Sequence, residues 1–118
     1  MGKTIMIVDD QLGIRLLLEE IVKSEGHQVM TAENGKAAVD KITTQKPDLL
    51  LIDYRLPIMD GVMVLNKLQE QNIHIPTIFM SGLADEAAEK IGGLEMVIKV
   101  LAKPFNVEDV RSIIKKHI

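Results

Sequence analysis

Three aspartates, a serine and a lysine each stand directly after a short, mostly apolar run, and side chains of these types could together handle a phosphoryl group. Asp9 and Asp10 follow Thr4-Ile5-Met6-Ile7-Val8, and Asp53 follows Leu49-Leu50-Leu51-Ile52. Ser81 follows Thr77-Ile78-Phe79-Met80, and Lys103 follows Val97-Ile98-Lys99-Val100-Leu101-Ala102. Carboxylates gathered together repel one another and call for a cation. Hard oxygen donors suit Mg²⁺, which binds through a few carboxylates, retained waters and often a phosphate. Asp53 ends the most apolar run, where it is expected to be alone and accessible, and it fits a nucleophile forming an aspartyl phosphate. Asp9 and Asp10 would hold the metal directly or through water. Lys103 would neutralise one phosphoryl oxygen as a point charge, and the Ser81 hydroxyl would donate to another. Phosphoryl transfer asks mainly for positioning and charge neutralisation, so this small set suffices.

These side chains meet only if the runs are parallel strands of one sheet. Runs near 4–8, 28–31, 48–52, 76–80 and 97–101 are short enough to be strands. Between the first two, Ile14, Leu17, Leu18, Ile21 and Val22 fall at helical spacing. Val107, Val110 and Ile114 repeat that spacing near the C-terminus, and segments 34–44, 60–70 and 84–92 also read as helices. Gly26, Asn34-Gly35, Pro47, Asp60-Gly61 and Gly92-Gly93 punctuate the alternation. Strands alternating with helices predict an α/β, doubly wound parallel sheet covered on both faces, built as one domain over residues 1–118. In such sheets ligands bind beyond the carboxyl ends of the strands, where Asp9, Asp10, Asp53, Ser81 and Lys103 would emerge.

Composition excludes several other classes. A chain of 118 residues can bury roughly two-thirds of the surface that its unfolded form exposes. Apolar residues make up 47%, too many for a disordered chain. With no Cys there is neither a disulfide nor a thiolate zinc site, which suits a reducing compartment. A net charge of −3 argues against broad nucleic-acid binding. No apolar stretch approaches the ~20 residues of a membrane span. The start does not read as a signal peptide, and Met6 stands where a myristoylation signal needs Ser or Thr. A cytoplasmic location is therefore expected.

Taken in order and at their spacings, four groups of residues carry a family resemblance. Val8-Asp9-Asp10, Asp53 with Pro57 and Met59-Asp60-Gly61, Ser81-Gly82, and Lys103-Pro104-Phe105 resemble the receiver domain of bacterial two-component response regulators. The resemblance covers essentially the whole chain. It implies a flavodoxin-like, five-stranded parallel sheet in the order 2-1-3-4-5, with five helices. It also implies Mg²⁺ held by Asp9, Asp10, Asp53 and the backbone carbonyl of Arg55, with Asp53 as phosphoacceptor and a cis Lys103–Pro104 bond. The stretch from Asp9 through Gln11, Gly13, Ile14 and Arg15 to Leu17 and Glu20 is similar to single-domain receivers of sporulation phosphorelays. Such receivers take phosphate from a sensor histidine kinase and pass it to a histidine of a phosphotransferase, catalysing their own aspartyl phosphorylation. The implied docking surface is Gln11, Gly13, Ile14, Leu17, Glu20, Leu83, Pro104 and Phe105. A response-regulator phosphatase is a further implied partner, and a monomer or weak dimer without an output domain is expected.

Departures from the family pattern bear on the mechanism. Val100 stands where an aromatic residue or histidine commonly acts as a switch. Met96-Val97 replaces the usual Gly-Ala, Ser81 the commoner Thr, and Gly82 the usual Ala. Blander readings exist residue by residue. Asp9 or Asp10 could cap the first helix, Asp60 the helix that follows it, and Leu17 could be core. His27, His74 and His117 have no ligand spacing and read as surface residues. Two other functions share parts of the pattern. An aspartyl-intermediate phosphatase typically has a second acid two residues after its nucleophile, where this chain has Arg55. A phosphorylation-independent interaction module would be expected to have lost an acidic residue, and all are present. A chemotaxis-type single receiver remains the alternative to the relay.

Overall fold

Each strand of the protein forms on a short, mostly apolar run, wholly apolar up to its closing aspartate only in the central Leu49–Asp53, and a polar residue closes or follows each run. The structure, a computed structural model, describes residues 2–82 and 94–118. In chain order the elements are β1 (Thr4–Val8), α1 (Leu12–Ser24), β2 (Gln28–Ala32), α2 (Gly35–Thr44), β3 (Leu49–Asp53), α3 (Gly61–Glu70), β4 (Thr77–Ser81), β5 (Val97–Ala102) and α4 (Val107–His117). The helix expected over 84–92 and the docking residue Leu83 lie outside the described residues.

All four strand pairings are parallel, in the order β2-β1-β3-β4-β5. This is the doubly wound α/β sheet that the alternation predicts, in the flavodoxin-like strand order that the family resemblance implies. Alternation along the strands sends side chains to two separate cores. Met6, Val8, Leu50, Ile52 and Phe79 meet α2 and α3 through Val39, Ile42, Leu65 and Leu68. Ile5, Ile7, Leu49, Leu51, Ile78 and Met80 meet α1 and α4 through Leu18, Ile21, Val22, Val110 and Ile114. Full burial of such side chains contributes about 1.5–3 kcal/mol each. Leu17 does not join them: it is 39% exposed, off the stripe formed by Leu18, Ile21 and Val22.

Register brings the strand ends level. Val8 lies opposite both Ala32 and Ile52, Asp53 opposite Met80, and Ser81 opposite Ala102. The β4–β5 ladder reaches that alignment through a shift: Thr77 pairs with Val97 and Ile78 with Lys99, so Ile98 is passed over. Side chains cap three helices. Asn34 accepts from the Ala37 N–H, Asp60 from Met63 and Asn106 from Asp109. Asp60 is thus a cap. Neither Asp9 nor Asp10 is the N-cap of α1, a position held by Gln11 without a side-chain bond.

Candidate functional site

Asp9 is fully buried at the end of β1, and every polar part of it is engaged. Its N–H donates to the Ala32 carbonyl at 3.2 Å. One carboxylate oxygen accepts from the Gln11 N–H at 2.9 Å, and its backbone carbonyl accepts from the Arg15 guanidinium at 2.7 Å. The other carboxylate oxygen accepts from Lys103 Nζ at 2.8 Å. The same ammonium reaches Asp53 at 3.2 Å. Lys103 is carried there by the loop after β5, where its N–H donates to the Ser81 carbonyl at 2.8 Å and its bond to Pro104 is cis.

Asp53 differs from its sequence-based description. It is the last residue of β3, only 8% exposed, and it lies beside Lys103 and Asp9 instead of alone. Its accessible side faces a cavity that Asp10, Gln11, Arg55, Ser81, Gly82 and Lys103 also line. Burial raises its pKa above the ordinary value, and the charge of Asp9 adds to this against the opposing pull of Lys103 and the Arg55 N–H. Burial also penalises the Lys103 ammonium, but its hydrogen bond to Asp9 and the charges of Asp53 and Asp9 prevail and raise its pKa.

Oxygens of Asp9, Asp10 and Asp53 lie within 4.8 Å of one another. One ammonium faces these three carboxylates, and Asp10 is exposed towards the cavity. An all-oxygen donor set with surplus negative charge fits a small hard divalent cation such as Mg²⁺.

The loop from β3 to α3 is packed tightly. Gly61 donates its N–H to the Tyr54 carbonyl at 3.0 Å, and a Cβ on it would lie 2.8 Å from the Asp53 carbonyl oxygen. A Cβ on Gly35 would lie 1.9 Å from the Met59 carbonyl oxygen. Between these contacts the Met59 N–H donates to the Pro57 carbonyl at 2.8 Å, closing a three-residue turn centred on Ile58 at φ 71°. A β-branched residue there carries about 1–2 kcal/mol of backbone strain.

The sequence-derived residues divide as follows. Asp9, Asp10, Asp53, Arg55, Ser81 and Lys103 converge at the carboxyl edge of the sheet. Of the docking set, Gln11 lines the cavity, while Gly13, Leu17, Glu20 and Pro104 are exposed. Ile14 and Phe105 are half-buried against the α1–α4 core. Arg15 was not singled out as a site residue. Its signal is an arginine one turn into the helix after the acidic pair, placed to reach back to a strand-end carbonyl.

Comparison with known proteins agrees with this geometry. The response regulator receiver domain family matches residues 5–115. Sporulation initiation phosphotransferase F of Bacillus subtilis (strain 168) is 36% identical over 122 residues, covering 100% of this chain and 95% of that protein. The alkaline phosphatase synthesis transcriptional regulatory protein PhoP of the same organism is 35% identical, covering 98% of this chain and 48% of that protein. A crystal structure of the response regulator protein TrrA from Thermotoga maritima, in complex with Mg²⁺-BeF, matches with a TM-score of 0.84 at 27% identity, covering 98% of this chain and 99% of that one. The match runs from the first strand to the last helix, and on that ground the chain belongs to the response regulator receiver domain family of two-component systems.

Proposed function

We propose that this chain is a phosphorelay intermediate: Asp53 accepts a phosphoryl group from a sensor kinase histidine and donates it to a histidine of a downstream phosphotransferase. One observation carries the reading. Asp53 sits at the floor of a cavity with a lysine, a serine and two further aspartates around it, an arrangement suited to in-line displacement at phosphorus. In the accepting step an Asp53 oxygen forms the new bond to phosphorus as the bond to the histidine nitrogen breaks, leaving the electron pair on the imidazole. Asp9, Asp10, Asp53 and the Arg55 carbonyl would hold Mg²⁺, whose positive charge would offset that of the phosphoryl oxygens. Lys103 exchanges its bond to Asp53 for one to a phosphoryl oxygen while keeping Asp9, and the Ser81 hydroxyl donates to another. The donating step is the reverse, with the partner's imidazole as nucleophile.

Similarity to sporulation initiation phosphotransferase F along nearly the full length of both proteins supports the relay role and a sporulation-type pathway. On this reading residues 1–118 act as a single receiver domain, in the cytoplasm, as a monomer or weak dimer. Nucleic acid and membrane are not partners. Gln11, Gly13, Ile14, Leu17, Glu20, Leu83, Pro104 and Phe105 form the docking surface for kinase, phosphotransferase and any phosphatase. Arg55 borders the cavity and affects hydrolysis of the aspartyl phosphate.

Intact mass after incubation with acetyl phosphate tests the reading. A gain of about 80 Da that requires both Mg²⁺ and Asp53 is the expected result. Labelling that persists in Asp53→Asn would refute the assignment of the acceptor.

A further inference from the structure

A second cavity, of about 240 Å³, opens beyond the end of β2 and shares no lining residue with the one at Asp53. Arg15 of α1, Ala37 and Lys41 of α2, and Thr31, Ala32 and Glu33 at the end of β2 line it. Main-chain oxygens hold both cations in place. The Arg15 guanidinium donates through one nitrogen to the Asp9 carbonyl at 2.7 Å, and the Lys41 ammonium donates to the Thr31 carbonyl at 2.5 Å. Val8 is paired with Ala32, so both carbonyls stand at the same end of the β1–β2 ladder, and the two head groups with them.

The charge of this pair is not cancelled. Lys23 is matched by Glu19 and Lys36 by Asp40, whereas Arg15 and Lys41 form no ion pair among the described residues. Glu33 is the one carboxylate in the lining, and it is exposed. A guanidinium and an ammonium each have donors beyond the one used here, and a main-chain carbonyl needs only a neutral donor. Two cations resting on main-chain oxygens around one hollow are therefore a surplus of charge, and a bound anion accounts for it.

We infer that Arg15 and Lys41 form an oxyanion site for a phosphate group, carried by free phosphate or by a small phosphomonoester. The planar fork of Arg15 matches two oxygens of such a group, and the Lys41 ammonium meets another as a point charge. Ala32 and Ala37 are the only apolar residues in the lining, which favours a small ion over an apolar side chain of a protein. The cavity at Asp53 is a poorer host for a free anion, because three carboxylates face one ammonium there. This site goes beyond phosphoryl transfer at Asp53 and stands whether or not that reaction occurs.

The test is a titration of the full chain with inorganic phosphate, without Mg²⁺ and against chloride at matched ionic strength, read by amide chemical shifts. Saturable shifts are expected at Ala32, Glu33 and Ala37. Lys41→Gln and Arg15→Gln are each expected to weaken binding about tenfold, the worth of one charged hydrogen bond, while Lys41→Arg retains it. Glu33→Gln is expected to tighten binding by removing the opposing charge, an effect that a purely structural role for the two cations would not produce. Ser81→Ala, which alters the cavity at Asp53, is expected to leave it unchanged. Glycerol phosphate distinguishes the sources: tighter binding than inorganic phosphate assigns a phosphomonoester, and weaker binding assigns the free ion. Shifts centred on Ser81 and Lys103 and lost in Ser81→Ala would overturn the inference in favour of the cavity at Asp53. A response no greater than that to chloride, or one unaltered in both Lys41→Gln and Arg15→Gln, would overturn it outright.

Discussion

The Lys103 ammonium lies closer to Asp9, at 2.8 Å, than to Asp53, at 3.2 Å. The lysine is therefore tethered by the carboxylate that is not the proposed acceptor, and it stays in place when Asp53 changes its bonding. Replacing it with methionine leaves Asp9 and Asp53 in contact without a cation between them. Lys103→Met is expected to cost about 1–3 kcal/mol in urea unfolding at neutral pH, the range for a lost charged hydrogen bond. Adding Asp9→Asn in the same chain is expected to recover part of that loss. Equal stability of wild type and Lys103→Met would refute the bridging role.

Asp53 itself works against the fold at neutral pH. Its folded-state pKa lies above the unfolded value of 3.8, so the folded chain holds its proton to higher pH than the unfolded one does. Stability from this group falls as pH rises from about 3.8 through the raised value and stays lower at pH 7. Asp53→Asn is accordingly expected to be more stable than wild type at pH 7, seen as a higher Tm. That gain is expected to shrink as pH falls toward 4. A variant less stable than wild type at pH 7 would show that the Lys103 contact outweighs the cost of burial.

Magnesium is expected to relieve the same crowding. At a concentration tenfold above Kd, binding to the folded state alone stabilises by about 1.4 kcal/mol. Asp10→Asn, which removes the carboxylate most open to the cavity, is expected to abolish most of that gain. Tyr54 is the chain's one tyrosine, there is no Trp, and it follows Asp53 directly, so its fluorescence gives a second readout of binding. Equal thermal shifts in wild type and Asp10→Asn would exclude Asp10 as a ligand.

Gly35 and Gly61 confine the loop above the site. A Cβ at Gly35 would meet the Met59 carbonyl at 1.9 Å, and one at Gly61 would meet the Phe79 ring at 2.5 Å and the Asp53 carbonyl at 2.8 Å. Backbone must move in both cases, so Gly35→Ala and Gly61→Ala are each expected to cost about 1–3 kcal/mol. Gly61→Ala is expected in addition to slow acetyl phosphate labelling, because its contact is with the residue that carries the acceptor. Normal labelling and stability in Gly61→Ala would show that the loop yields freely.

Much of the fold was legible because the runs at β1, β3 and β4 are apolar apart from a leading threonine in β1 and β4, and an acid or a hydroxyl ends or follows each. Those breaks in hydropathy locate both the strands and the edge where the site forms. The burial of Asp53 and its contact with Lys103, fifty positions away in the chain, are not legible at a strand end, because local sequence does not report on such a neighbour. Leu17 fits the helical spacing, yet it sits at the margin of the buried arc, where spacing alone does not decide between core and surface. Nothing in the sequence announces the turn at Ile58. Positive φ is normally signalled by Gly or Asn, and here the flanking contacts impose it on a residue that resists it.

The residue passed over in β5 sets a phase. Successive side chains along a strand point to opposite faces, so one inserted residue exchanges the faces of everything after it. Upstream of the shift Thr77 is matched to Val97, and downstream Ser81 is matched to Ala102, an offset of twenty residues growing to twenty-one. Were Ile98 paired in its turn, the offset would stay at twenty, Ala102 would stand beyond the serine and Lys103 one place further on, its ammonium turned away from the carboxylates. The cation of the site is therefore aimed by a counting error built into the far end of its own strand, five positions before the lysine appears.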